Sequence, residues 1–267
     1  MDQTIGFIGT GNMGSAIAKA AAKSGLAETI LLANRTPAKA AALAAELPGG
    51  TLSTNEEIAR TAKLIFLGVK PQMMQLVLDP LEPILRKRED RFILVTMAAG
   101  LTCDRIQDFL DMDCPVIRIM PNTPSAIGAG VVQYCGQLVT VEELDAFAAL
   151  LAPAGLVDPV PEGLIDAASA VSGCGPAFAY LFAEALADGG VACGLPRDKA
   201  LSYAAQMLAG AARMVLESGQ HPGALKDAVC SPGGATIQGV RVLEEDGFRA
   251  AAMDAVIAAY EKTLKLK

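Results

Sequence analysis

Apolar residues fall in two different rhythms along this chain. From the amino terminus to about residue 160, short apolar runs alternate with helical stretches. The runs at Thr4–Ile8, Thr29–Ala33, 63–69, 92–97 and 116–120 predict strands, and a sixth is expected at 130–134. A helix is expected over Asn12–Ser24, closed by Gly25. This βαβ rhythm predicts a parallel sheet covered by helices. From about Pro161 the rhythm changes. Long Ala- and Leu-rich segments at 176–192, 196–218, 222–229, 234–245 and 249–264 are punctuated by Gly and Pro, with no strand alternation. Several open with Pro near the first helical position, where its missing N–H costs nothing. The chain therefore divides into an α/β domain over 1–160 and an all-helical domain over 161–267. Pro159 and Pro161 mark the boundary.

Composition narrows the picture. Aromatics are only 4% and Trp is absent, yet 52% of the 267 residues are hydrophobic, so Ala, Leu and Val must carry a tightly packed core. A net charge of −7 argues against a nucleic-acid partner, which needs a basic patch. The chain enters an apolar segment by Ile5 with no basic stretch before it, which argues against a secretory signal and points to the cytoplasm. The charge-free run 167–183 contains Ser172-Gly173-Cys174-Gly175-Pro176 and reads as a buried helix and turn rather than a membrane span. Six Cys are scattered without a CxxC pair or a His cluster, so free thiols, mostly buried, and no metal site are expected.

The first chemical signal is Gly9-Thr10-Gly11-Asn12-Met13-Gly14, directly after the Ile8 end of a strand and opening a helix. In that context the glycines mark a dinucleotide site: Gly9 for the tight turn, Gly11 for approach of the pyrophosphate, Gly14 for close helix–strand packing. Ile8, Thr10, Asn12 and Met13 complete the loop, with the amides of Asn12 and Met13 facing phosphate. This makes the first domain a Rossmann-type, doubly wound and mainly parallel sheet. An NAD site calls for Asp or Glu at the end of the second strand. This chain offers Asn34-Arg35-Thr36 there. With no carboxylate to repel a 2′-phosphate and Arg35 to bind it, NADP(H) is the preferred cofactor, with NAD(H) still able to bind. Val69-Lys70-Pro71, Met97-Ala98-Ala99-Gly100 and Asn122 fall near the carboxyl ends of strands, where ligands bind in open sheets, and Asn55 is a further candidate cofactor contact. Lys70 is read as an electrostatic contact to pyrophosphate. Asn122 is a candidate hydrogen-bond partner for nicotinamide or ribose, although the Pro-flanked turn explains it equally well.

The second signal is Cys230-Ser231-Pro232-Gly233-Gly234-Ala235-Thr236, behind His221-Pro222-Gly223. Pro232 is expected to end one helix. Gly233 and Gly234 bring bare backbone to the start of the next, where amides attract a carboxylate. A tight interhelical turn with Thr236 as a cap accounts for the same residues. His221, in a His-Pro-Gly turn, is read as a capping residue.

Taken together these motifs, with Ser172-Gly173-Cys174-Gly175-Pro176-Ala177 and Ala187-Asp188-Gly189-Gly190, resemble pyrroline-5-carboxylate reductase over essentially the whole chain. The resemblance implies reduction of 1-pyrroline-5-carboxylate to L-proline with NAD(P)H, the last step of proline biosynthesis. It also implies a C-terminal helical domain that binds substrate and interlocks in a homodimer, and dimer and decamer fit the sequence alike. By the same resemblance the substrate carboxylate meets the amides of Gly234 and Ala235 near Ser231 and Gly233, and the Thr236 hydroxyl meets the ring nitrogen as the catalytic contact. Glu162 falls at a family position near the substrate amine. Cys174 and Cys230 stand where many relatives have Ser, and Ala228 where some have Asn. The partner is thus a small imino acid, without nucleic acid or membrane.

Two other readings fit parts of the pattern. A β-hydroxyacid dehydrogenase shares the architecture but uses a Lys on the interdomain helix, and Pro176-Ala177-Phe178-Ala179-Tyr180-Leu181-Phe182-Ala183-Glu184 carries none. A reductase for another cyclic imino acid keeps the same residues with a different ring, and a non-catalytic NADPH-sensing subunit keeps only the binding half.

Overall fold

The computed structural model describes residues 4–265. The first compact unit runs to Cys174 and takes in the chain end from Ala259; the second covers Gly175–Ala258.

The first unit is built on one eight-stranded sheet: β1 (Thr4–Ile8), β2 (Thr29–Ala33), β3 (Gly50–Leu52), β4 (Leu64–Leu67), β5 (Ile93–Thr96), β6 (Val116–Pro121), β7 (Gly130–Gln137) and β8 (Gly155–Pro159), in the order β3-β2-β1-β4-β5-β6-β7-β8. The first six are parallel. β7 runs antiparallel to β6, with Arg118 opposite Cys135, and β8 is parallel to β7. The reversal has a simple cause. Only a short turn, residues 122–129, separates β6 from β7, too little chain for the crossover a parallel pair requires.

Two helical layers cover the sheet. α1 (Asn12–Ser24), α2 (Pro37–Glu46) and α7 (Val141–Leu151) lie on one face over Ile5, Phe7, Phe66 and Ile119. Phe7 and Phe66 stack with ring centroids 4.3 Å apart. α3 (Asn55–Thr61) and the short α4 (Met74–Leu78), α5 (Glu82–Leu85) and α6 (Cys103–Leu110) cover the other face over Ile8, Ile65, Leu67 and Leu94. Several of these helices start on a threonine cap. Thr54 accepts from the Glu57 amide, Thr102 from the Arg105 amide, and Thr140 forms a reciprocal capping box with Glu143.

The interior strands fall where their apolar runs predict. β3 and β8 carry no such run. Both are short edge strands with largely exposed residues, rich in Gly and Pro, and Pro159 is tolerated because an edge strand lacks a partner on one side. α8 (Glu162–Ser172) lies in the segment the sequence assigned to the helical domain, yet it belongs to the first unit. Its Asp166 pairs with Arg118 of β6, Nη2 to Oδ1 at 2.5 Å, and its Ser172 Oγ accepts from Gln133 of β7 at 2.6 Å.

The second unit contains α9 (Gly175–Ala192), α10 (Arg197–Ser218), α11 (Pro222–Ala228), α12 (Ala235–Glu245) and α13 (Phe248–Leu264), the last of which runs on past Ala258. α9 and α10 approach closely through Ala187, Ala200 and Ala204, the only buried residues on these five helices. The run 167–183, expected as a buried helix and turn, is instead the end of α8, a break at Gly173-Cys174 and the start of an α9 that is mostly exposed. Residues 162–192, which include it, are long and apolar enough by composition to cross a membrane, but that break and the Asp166–Arg118 pair interrupt them. The cysteines are free as expected. Cys103 and Cys114 are buried, while Cys193 is exposed and the other three lie between.

Candidate active site

In the first unit the strand order turns at β1, which has β2 on one side and β4 on the other. The crevice above such a turning point is where open α/β sheets bind ligands. The glycine loop sits there. Gly9 has φ +99°, and its amide donates to the Ala33 carbonyl at 2.8 Å. The next loop is tied in by the Gly68 amide donating to the Ile8 carbonyl at 2.8 Å. A Cβ added at Gly9 would lie 2.5 Å from the Gly68 carbonyl oxygen, and one at Gly14 would lie 2.2 Å from that of Gly9. A Cβ at Gly11 would meet nothing within 4 Å. Two glycines are thus demanded by the protein's own backbone. The third leaves a bare approach on the outside, as a dinucleotide pyrophosphate requires. Gly11 caps α1 without a side-chain bond, so the amides that open the helix, those of Asn12 and Met13 among them, have no cap to satisfy them. Thr10 is buried and its Oγ1 has no partner. The donor set fits a dinucleotide.

The other residues expected to meet the cofactor lie on neighbouring loops. Asn34, Arg35 and Thr36 follow β2; Asn34 Nδ2 donates to the Thr36 carbonyl at 3.2 Å. Arg35 is exposed and makes no ion pair among the described residues. Asn55 opens α3, beyond edge strand β3. Val69 and Lys70 leave β4, and Pro71 starts a single 3₁₀ turn for which Lys70 is the cap position. Met97, Ala98, Ala99 and Gly100 leave β5, where the Ala98 amide donates to Thr96 Oγ1 at 3.3 Å. These loops share the carboxyl ends of adjacent strands β2, β1, β4 and β5.

Asn122 is placed differently from its expected role. Its side chain is turned into the protein: Oδ1 accepts from the Val131 amide at 2.9 Å and Nδ2 donates to the Ser172 carbonyl at 2.9 Å. It braces the β6–β7 turn against the end of α8. Glu162 also stands apart. It opens α8 at the end opposite Ser172, about ten residues or 15 Å of helix away. Its Oε1 accepts from the Cys103 amide at 2.8 Å and lies 3.5 Å from Arg118 Nη1. Within this unit its carboxylate is engaged by protein. The sequence reading passed over Arg118 and Asp166. The signal was present: a charge inside the otherwise apolar Val116–Pro121 must find a partner when buried.

The second unit gathers Ser231, Gly233, Gly234, Ala235 and Thr236 at the start of α12. His221 is the cap of α11, its Nδ1 accepting from the Gly223 amide at 3.0 Å. Pro232 does not itself end α11, which stops earlier at Ala228. A Pro cannot join a helix whose residue four back offers its carbonyl, and it disfavours helix at the residue before it, so the chain leaves the helix in advance. Gly233 has φ +72°, which glycine adopts freely. The Gly234 amide already donates to the Ser231 carbonyl at 3.0 Å. It is therefore already engaged within the turn. Gly234 caps α12 without a side-chain bond, and Thr236 is exposed rather than acting as the cap.

A doubly wound sheet with a glycine cradle, followed by a helical unit, defines a dinucleotide-dependent oxidoreductase. Residues 4–100 match the family described as NADP oxidoreductase, coenzyme F420-dependent, and residues 162–266 match that described as pyrroline-5-carboxylate reductase dimerisation. The chain belongs to the pyrroline-5-carboxylate reductase family. It is 43% identical to the pyrroline-5-carboxylate reductase of Pisum sativum, with 98% of this chain and 96% of that one covered. Among solved structures, the enzyme of Coxiella burnetii is 31% identical with a TM-score of 0.91, covering 100% of this chain and 99% of that one. The Plasmodium falciparum pyrroline carboxylate reductase, solved with NADP bound, is 31% identical with a TM-score of 0.85, covering 98% and 97%.

Proposed function

We propose that this chain reduces 1-pyrroline-5-carboxylate to L-proline with NADPH, as a homodimer in the cytoplasm. The observation that carries the reading is family membership along the full length, so that the glycine cradle and the turn before α12 come as a matched set.

When bound, the nicotinamide supplies a hydride to the carbon of the C=N bond. The chain's own residues do the rest. The amides of Asn12 and Met13 hold the pyrophosphate, and Arg35 holds the 2′-phosphate where an NAD enzyme has a carboxylate. The amides of Ala235 and Thr236, with the Ser231 hydroxyl, receive the substrate carboxylate, and the bend at Gly233 and Gly234 leaves room for it. The Thr236 hydroxyl hydrogen-bonds the ring nitrogen and orients it. An iminium substrate arrives already protonated, so no His or Lys acid is required, in keeping with His221 serving as a cap. Rate enhancement then comes mainly from positioning. Asn122 acts through the brace it provides rather than by touching the nicotinamide amide.

NADPH oxidation tests this with pyrroline-5-carboxylate, the six-membered piperideine-6-carboxylate, and a 3-hydroxy acid with NADP in the reverse direction. Turnover of the five-membered ring well above the others is expected. Turnover of the six-membered ring alone would reassign the substrate, and NADPH binding without any imine reduction would overturn the reductase reading.

A further inference from the structure

Away from the cofactor crevice, three metal-ligating groups of the first unit converge. Cys103 Sγ at the start of α6, Cys135 Sγ on β7 and a carboxylate oxygen of Glu162 at the start of α8 all lie within 4.8 Å of one another. The same three residues line a cavity of about 470 Å³, together with Gln137 and Pro161. The geometry points to a binding site for a zinc-class divalent cation at Cys103, Cys135 and Glu162.

Two sulfurs and one oxygen form a soft donor set, which selects zinc, cadmium and their like over magnesium or calcium. In a tetrahedral zinc site, with bonds near 2.3 Å to sulfur and 2.0–2.2 Å to oxygen, donors stand about 3.5–3.8 Å apart. Closing from separations under 4.8 Å takes shifts of about 1 Å or less. Cys135 and Glu162 are half-buried and can supply them. The cavity gives the ion a way in and leaves its fourth position to water. The surrounding shell is already built. The Cys103 amide holds Glu162 Oε1 at 2.8 Å, and Arg118 Nη1 stands 3.5 Å from the same oxygen, which fixes the carboxylate as outer partners do at metal sites.

Arg118 opposes a cation here, and it is paired with Asp166 at 2.5 Å. Binding leaves the buried charge unchanged. Each thiol gives its proton to solvent, so the ion's two positive charges are matched by two thiolates. Two metal–sulfur bonds and one metal–oxygen bond form, all but one of the ion's waters leave, and no electron moves. Because α6 directly follows the Met97–Gly100 loop and α8 leads to the second unit, an ion here ties together α6, β7 and α8.

Cadmium titration of the full-length, reduced protein tests the site, read as the thiolate-to-cadmium absorption band and as bound metal after gel filtration. One equivalent is expected, with the band retained in Cys193→Ser and Cys230→Ser. Cys135→Ala should lose the band and weaken binding at least about 100-fold, the upper end of what losing even an outer partner costs. Glu162→Gln should weaken binding while keeping the band. Cys103 is fully buried, so should Cys103→Ala fail to fold, the half-buried Cys135 decides the matter. No band in the reduced wild type, or a band undiminished in a folded Cys135→Ala, would overturn the site.

Discussion

The two units of this chain meet water in opposite ways. In the first, strands β1, β2, β4, β5 and β6 are buried almost end to end and sandwiched between helical layers. In the second, five helices bury three alanines between them. Tyr180, Leu181, Leu216 and Met253 stand more than half exposed on the single chain. A sheet closed on both faces completes its own core. Helices this apolar and this exposed do not, and exposed apolar surface in such quantity points to association. The match of residues 162–266 to a dimerisation family fits the same account. The first unit thus closes its own core, whereas the second leaves apolar surface uncovered on the single chain.

The sharpest way to break this contrast is to unpair a buried charge. Arg118→Ala removes the buried guanidinium that meets Asp166, whose side chain is 5% exposed, and Glu162. Denaturant unfolding should show a loss of about 3–5 kcal/mol. Arg213→Ala removes a pair in the second unit whose side chains are 75% and 66% exposed, and should cost about 0.5 kcal/mol or less. Equal losses would mean that the second unit stabilises itself as the first does.

Next in size is the expected separation of activity from stability. Thr236→Ala should lower kcat about 100-fold, the low end for a group engaged at the reacting nitrogen, and raise KM less. Its thermal midpoint should be unchanged, because an exposed hydroxyl is removed. An unchanged kcat would take Thr236 out of the mechanism. Leu181→Glu asks the complementary question of assembly. Leu181 is 68% exposed on one chain. If a second copy covers it, the lost burial of about 1.5–3 kcal/mol raises the dimer dissociation constant at least about tenfold by sedimentation. A dimer of unaltered stability would place the interface elsewhere. Arg35→Asp should then weaken NADPH about tenfold or more through loss of a charge-assisted bond, with NADH little changed. Equal weakening of both would remove the 2′-phosphate contact.

The same contrast explains what could be read in advance. Interior strands were legible because burial on both faces forces a continuous apolar run. Edge strands β3 and β8 were not, since half of each faces water and the pairing of Gly50–Leu52 depends on a neighbour distant in sequence. The glycine loop was legible at Gly9 and Gly14, because a missing Cβ there answers a local backbone demand. The turn before α12 was legible as a place. Its hydrogen bonds were not, and Gly234 proved to spend its amide on Ser231. Asn122 and Glu162 show the limit most clearly. A polar side chain near a ligand-binding loop reads the same whether it faces a ligand or braces the protein, and only the distances to Val131, Ser172 and Cys103 separate the two.

A small effect is expected at the edge of the first unit, where Glu143 joins α7 to the loop before β5. Its carboxylate accepts from Arg91, with Nη2 at 2.7 Å, and from the Thr140 amide at 2.8 Å. The Arg91 hydrogen bond, more than any other influence, holds the Glu143 carboxyl below its usual value of 4.5. A carboxyl lowered in the folded state binds its proton more readily when unfolded. Its contribution is therefore present above the unfolded value and lost as pH falls through the folded one. Arg91 is half exposed, which keeps the pair to about 0.2–1 kcal/mol. Arg91→Ala should lower stability by that amount at neutral pH and by progressively less as the solution is acidified below about pH 4. A difference that stays constant down to acid pH would mean that Arg91 acts through packing, or through its bond to the Leu138 carbonyl at 2.9 Å, and not through the charge on Glu143.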